Sequence, residues 1–235
     1  MFNAILFDLD DTLLRNEMTT FVNAYWGTLL PKITGVFPDH HMKDAILAGT
    51  QAMIKAQRSN ASLREIFVES FESMAKLDFA DVEPIFMNYY QNEYREIKHL
   101  TQPVSGAVSA LSNAAAITDH IVLATIPIFP LIAIEERVRW AGLQDFPFVF
   151  ITSFETMHAS KPNPDYYAEI ADHIGCPPES CLMIGNDYKD DMVAKAVGMK
   201  TFLVTDYAMH KEDGKFEPEY QGTIGDLVDF LATLR

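Results

Sequence analysis

Basic residues, cysteines and long apolar runs are what this chain has little of. Lys and Arg total 18 against 33 Asp and Glu, giving a formal net charge of −15 over 235 residues. A surface that acidic repels phosphate backbones and anionic lipid, so neither a nucleic-acid binder nor a membrane-surface protein is expected. An anionic substrate would have to be met by a local cluster of positive charge. No apolar stretch approaches the ~20 residues of a membrane span. The first apolar run is broken by Asp8, so no secretory leader is expected either. The two cysteines, Cys176 and Cys181, match no metal or redox spacing and read as free thiols of a reducing cytoplasm. What is present is a 49% hydrophobic, 22% charged composition. That suits a globular chain with a sizeable core, as one large domain or one domain with a smaller insert.

The most informative stretch is Ala4-Ile5-Leu6-Phe7-Asp8-Leu9-Asp10-Asp11-Thr12. Ala4 to Phe7 reads as a buried strand that runs straight into three carboxylates and a threonine. Side chains alternate faces along a strand, so Asp8 and Asp10 leave its end on one side while Leu9 returns to the core. Burying two like charges there is costly unless a cation or a proton resolves the repulsion. An Asp-rich turn or helix cap explains one carboxylate followed by Thr, but not a pair on one face. The pair therefore marks a working site.

The other strand signals come late: His120 to Ile126, Phe148 to Thr152, Cys181 to Gly185 and Lys200 to Val204. Helix-like stretches follow at about 129–141, 163–174, 188–197 and 223–234, and a further helix at about 104–116 leads back to the sheet. Strand alternating with helix predicts a parallel sheet covered on both faces. Residues 16–100 carry no strand signal but show apolar residues at helical spacing, as in Phe67, Phe71, Met74 and Leu77. Pro31, Pro38 and Pro84 are expected at helix boundaries. The segment reads as an insert of roughly four helices, its Met and aromatic stripes forming its own core rather than a cofactor box.

Ligands of open parallel sheets sit beyond the carboxyl ends of the strands. Those ends carry Asp8 and Asp10, then Thr125, then Ser160-Lys161-Pro162-Asn163-Pro164, then Gly185-Asn186-Asp187 with Asp190 and Asp191. Three or more carboxylates, a hydroxyl and an ammonium thus converge. A hard divalent cation such as Mg²⁺ would neutralise the carboxylates and keep positions open for a phosphate.

Asp8-Leu9-Asp10-Asp11-Thr12, Thr125 at a strand end, Lys161-Pro162 and Gly185-Asn186-Asp187 with Asp191 resemble the four ordered motifs of the haloacid dehalogenase superfamily. The resemblance spans residues 3 to about 205, outside the insert, and is to the phosphatase-like branch with a helical cap inserted after the first motif. It implies an α/β fold with a Rossmann-like catalytic core from residues 1–15 and 101–235 and a helical cap at 16–100. It also implies that Asp8 is the nucleophile, forming an aspartyl-phosphate. Asp10 would protonate the leaving alkoxide, then activate water, and would lend its backbone carbonyl to Mg²⁺. Thr125 and Lys161 would bind the phosphoryl group. Such chemistry needs mainly positioning and electrostatic stabilisation.

The sequence departs from the family pattern twice. Asn186 stands where the fourth motif often has Asp, with Asp187 after it. Asp187 is the expected metal ligand over Asn186, since an anionic oxygen suits Mg²⁺ better, and Asp191 is expected to support the site from behind. Ile126 stands where Asn often follows the threonine. Taken singly, Thr125 would be an ordinary strand residue and Lys161 a surface lysine; order and placement give them weight. Asp11 reads as a turn residue, Asp190 as a solvated charge, and His158 as a loop histidine. His40-His41 lacks a third metal ligand.

The expected activity is a Mg²⁺-dependent, cytoplasmic phosphatase of a small phosphorylated metabolite. Specificity would come from cap residues near 16–25 or between the cap helices, with cap closure as a gate. The alternatives are a phosphomutase on a sugar phosphate and, in another class, a catalytically weak metabolite-binding or regulatory protein. Neither the substrate nor the oligomeric state follows from the sequence.

Overall fold

The computed structural model describes residues 2–234. Its centre is a parallel sheet in the order β5-β4-β1-β6-β7-β8. The strands are β1 (Ala4–Phe7), β4 (His120–Leu123), β5 (Phe150–Ile151), β6 (Cys181–Gly185), β7 (Lys200–Val204) and β8 (Tyr220–Gly222). β1 is fully buried along its length, as an all-apolar strand must be when helices cover both sheet faces. It lies between β4 and β6, with Phe7 level with Leu123 and Ile184. The chain builds outward through β4 and β5, then crosses back to β6. The mouth of β1 is thus the point where strand order reverses and ligands collect. The edge strand β8 was not expected: it is three residues long, exposed at Tyr220 and Gln221, and shows no apolar alternation.

A two-stranded antiparallel ribbon, β2 (Leu14–Asn16) with β3 (Thr101–Pro103), stands where the chain leaves and rejoins the core. Between its strands lie α1 (Met18–Thr34), α2 (Met42–Lys55), α3 (Leu63–Ala75) and α4 (Phe79–Gln91), then a 3₁₀ segment over Glu93–Leu100. The stretch near 16–25, where specificity residues are expected, is mostly the first turns of α1. Pro38 lies between helices, but Pro31 and Pro84 lie inside α1 and α4. Both face solvent, where the carbonyls they leave unbonded can be hydrated. Helix α3 starts on a Ser62–Glu65 capping box, and its first amides, Leu63 and Arg64, donate to the Met157 and Phe154 carbonyls of the core.

The sheet is flanked by α5 (Ala107–Ala115), α6 (Leu131–Trp140), α7 (Pro164–Ile174) and α8 (Ile224–Thr233). The helix expected over 188–197 is reduced to a 3₁₀ turn at Met192–Val197, because Asp187 opens that segment with a side-chain turn of its own. Cys176 and Cys181 are buried free thiols. Among the described residues no helix is long and apolar enough to cross a membrane.

The packing of α2 on α3 depends on Gly49. A Cβ there would lie 2.5 Å from a Phe67 ring carbon and 3.1 Å from the Phe67 carbonyl. Gly49→Ala gains up to about 1 kcal/mol of helix propensity but forces overpacking worth about 1–3 kcal/mol. The variant is expected to melt several degrees below the parent in a thermal scan; an unchanged or raised midpoint would show that the two helices can part freely.

Candidate active site

Four chain segments meet at the mouth of β1, and backbone hydrogen bonds fix their register. The Asp8 amide donates to the Ile184 carbonyl and the Ala124 amide to the Phe7 carbonyl. The Leu9 carbonyl accepts from the amides of Leu13 and Leu14, and Asp11 takes a positive φ of 57°, closing a tight turn. The Asp11 carboxylate accepts the Asn16 amide and pairs with Arg15, as a turn-forming residue should.

The repulsion between Asp8 and Asp10 is relieved by two separate cations. Lys161 Nζ donates to Asp8 Oδ1 at 2.8 Å and to Asp191 Oδ1 at 2.6 Å, and the lysine is 1% exposed. Burial alone would lower the Lys161 ammonium, but Asp191 and Asp8 outweigh it and hold it well above the usual lysine range. Burial pushes the Asp191 carboxyl up, against the pull of Lys161. Asp191 Oδ2 accepts the Asp187 amide at 2.9 Å, so this residue anchors the lysine from behind. Gly185 makes room for it: a Cβ at 185 would fall 2.1 Å from Asp191 Oδ2.

Asp10 Oδ1 is held by Arg137 of α6 and by Asn16 Nδ2 at 3.0 Å. Arg137 is 1% exposed, with its guanidinium carbon 5.6 Å from the Phe21 ring centre and 5.7 Å from that of Phe129. Burial draws it down to about 10, so it remains a cation at neutral pH. Sequence reading missed both Arg137 and Asn16. Arg137 sits in the apolar stripe of its helix with Ala133, Ile134 and Val138, and a charge in such a stripe was the available signal.

Thr125 is fully buried and its two oxygens differ in an informative way. The carbonyl accepts from Thr152 Oγ1 at 2.9 Å and from the Tyr166 hydroxyl at 2.8 Å. Burial raises Tyr166, which therefore stays a donor. Among the described residues the Thr125 hydroxyl has no partner, nor does that of buried Ser160, the residue before Lys161. Buried hydroxyls are rarely left so, and two on the segments that meet at the mouth of β1 are suited to an incoming oxyanion.

Asn186 is buried: its Oδ1 accepts from Thr12 Oγ1 at 3.2 Å and its Nδ2 donates to the Tyr207 carbonyl at 2.8 Å. The Asp187 carboxylate is engaged elsewhere. Oδ1 accepts the amides of Lys189 and Asp190, and Oδ2 lies 2.6 Å from His210 Nδ1. The structure thus joins Asp8, Lys161 and Asp191 directly, with Asn186 tied in through Thr12, and gives Asp187 no contact with them through its side chain. Asp190 is half-buried rather than solvated; burial and then Asp187 raise its carboxyl. His158 is a loop residue whose Nδ1 lies 2.7 Å from Glu169.

Among the described residues no three His, Cys, Asp or Glu side chains gather as a metal site. The oxygens left near the site include those of the Asp8 carboxylate, the Asp10 carbonyl, the half-buried Asp190 carboxylate and Asn186 Oδ1, which keeps a second lone pair. An all-oxygen set fits a hard cation such as Mg²⁺ and no soft metal.

Comparison with known proteins places these features. A family model described as haloacid dehalogenase-like hydrolase matches residues 2–198. The chain is 24% identical over 233 residues to the pyrophosphatase PpaX of Halalkalibacterium halodurans, covering 97% of this chain and 96% of that one. It is 27% identical to the glyceraldehyde 3-phosphate phosphatase of Methanothermobacter thermautotrophicus, covering 87% and 86%. The fold matches a crystal structure of a HAD phosphatase from Thermococcus onnurineus, with a TM-score of 0.59 at 18% identity and 97% coverage of each chain.

Removing Lys161 leaves buried Asp8 and Asp191 uncompensated. Lys161→Met is expected to lower stability to urea by about 3–5 kcal/mol, and Lys161→Met/Asp191→Leu to recover part of that loss. No recovery would mean that Asp191 does not carry the burden.

Proposed function

The chain belongs to the haloacid dehalogenase-like hydrolases, and on that premise we propose that it is a Mg²⁺-dependent phosphatase acting on a small phosphorylated substrate through an aspartyl-phosphate on Asp8. The observation that carries this reading is the pairing of Asp8 with Lys161, together with the unpartnered hydroxyls of Ser160, next to Lys161 in the chain, and of Thr125, just beyond the strand β4 that pairs with β1. Asp8 Oδ1 is taken by the ammonium, which leaves Oδ2 to attack phosphorus in line. Lys161, Thr125 and Ser160 then bind the phosphoryl oxygens, and the ammonium meets their growing charge in a water-poor site.

Asp10 serves as acid, then base. Its Oδ1 is fixed by Arg137 and Asn16, so the proton it passes to the leaving oxygen, and later takes from water, is carried on Oδ2. This role suits an ester of phosphoric acid; a carbon–halogen bond has no alkoxide to protonate. Asp8, the Asp10 carbonyl and Asn186 Oδ1 would hold the cation, which neutralises phosphate charge when bound. We assign Asn186 rather than Asp187 because the Asp187 carboxylate is spent on His210 and two amides. The helices between β2 and β3 would form a cap over the site, and the buried thiols at 176 and 181 fit a cytoplasmic protein. The PpaX and glyceraldehyde 3-phosphate phosphatase relatives support phosphate release over the binding-only alternative.

Asp8→Asn is expected to cut release of phosphate from p-nitrophenyl phosphate about a thousandfold or more, and EDTA should silence the parent enzyme until Mg²⁺ is restored. Substantial turnover by pure Asp8→Asn would falsify the nucleophile assignment. Asn186→Ala is expected to raise the Mg²⁺ concentration for half-maximal rate about 10–100-fold, and Asp187→Ala to move it only a few-fold. The reverse ranking would return the metal to Asp187.

A further inference from the structure

We propose that this site takes phosphate esters of apolar alcohols, alkyl or aromatic, rather than of sugars or polyols. The reaction rests on the phosphatase reading above; the substrate class rests on a cavity of about 230 Å³ that opens beside Asp10. Its walls include the rings of Phe21, Tyr25, Phe67, Phe86 and Phe129, together with Ile126, one of the two residues that depart from the family pattern. The insert's aromatic stripes therefore do more than fill its own core. An apolar cavity of about 150 Å³ stays dry and accepts a benzene ring, so this one has room for a ring with several further carbons.

Most of the polar groups on the wall are already engaged, the Trp26 indole N–H and the second Glu83 carboxylate oxygen excepted. The Tyr25 and Tyr90 hydroxyls bond each other at 2.7 Å, Thr50 donates to the Ile46 carbonyl of its own helix, and Glu83 pairs with Arg64. Arg137 Nε is buried without a partner, but it belongs to the guanidinium that grips Asp10, at the ester end. A sugar carries several hydroxyls, and those that enter among the rings beyond the few free polar atoms would lose their water without replacement, at a cost of about tenfold or more in affinity for each. An alkyl or aryl group loses nothing comparable and gains about fourfold per buried methylene. In the step itself, Asp8 Oδ2 bonds to phosphorus as the bond to the ester oxygen breaks. The alcohol leaves with the proton from Asp10, and water then returns Asp8 and inorganic phosphate.

The test uses the Mg²⁺-loaded full chain with ethyl, butyl, hexyl and octyl phosphate, phenyl phosphate, glycerol 3-phosphate and glucose 6-phosphate, measuring released phosphate. The expected result is a kcat/KM that climbs with chain length by about fourfold per methylene until the cavity is full. Phenyl phosphate should exceed glucose 6-phosphate at least about tenfold. In parallel, calorimetry with hexanol should show binding with a negative heat-capacity change, and Met87→Asp, which sets a carboxylate in the wall, should weaken that binding and flatten the series. A flat series, or preference for the sugar phosphate, overturns the apolar assignment while leaving the phosphatase intact. Hexanol binding with every ester inert sustains the cavity and overturns the phosphatase reading; neither binding nor turnover overturns both.

Discussion

The site depends on the separation of its positive charge into two buried pairs, Lys161 with Asp8 and Asp191, and Arg137 with Asp10. A single cation between Asp8 and Asp10 would satisfy their charges but equalise their roles. Two cations let one carboxylate face an ammonium that can also reach a phosphate, and let the other be clamped by a planar guanidinium with a fixed orientation. Neither arrangement is a cheap way to stabilise a fold, because desolvating such ions offsets most of their attraction. Their presence at the buried rim of an open cavity is therefore better explained by what they position than by what they hold together.

The same reasoning applies to the hydroxyls. The Thr125 carbonyl accepts two donors while its hydroxyl accepts and donates nothing, although both are equally buried. A fold with no use for that hydroxyl could carry valine there at lower cost. Fixed backbone on one side and an unspent donor on the other is the geometry of preorganisation: the donor is in place before charge develops and needs no rearrangement to meet it.

Much of this was legible in the chain. β1 reads directly because a run of apolar residues that ends in Asp8 has only one comfortable place, the middle of a parallel sheet with its end at the mouth. Lys161 and Thr125 were legible through their order along the sequence rather than through their own character. Arg137 and Asn16 were not read, since neither lies in a motif; their meaning comes from what α6 and the β2 ribbon bring against Asp10. A preference for anionic oxygen favoured Asp187 from sequence, but the local turn it makes with Lys189 and Asp190 and its bond to His210 are tertiary facts. Pro31 and Pro84 misled for a related reason: whether proline breaks a helix depends on whether the freed carbonyl can reach water.

The acidic surface and the apolar cavity belong to one design. With a net charge of −15, long-range attraction cannot recruit a phosphate ester, and the far field opposes it. Recognition must then come at short range, from the Lys161 ammonium and the neutral donors around it, and from whatever the rest of the substrate contributes. A polar leaving group would have to be matched hydroxyl by hydroxyl on a wall most of whose polar groups are already paired. An apolar one is held by the removal of its surface from water, which net charge does not weaken. Ile126 fits this division: one position beyond the unpartnered Thr125 hydroxyl, it gives the wall a hydrocarbon face where an amide would have offered hydrogen bonds.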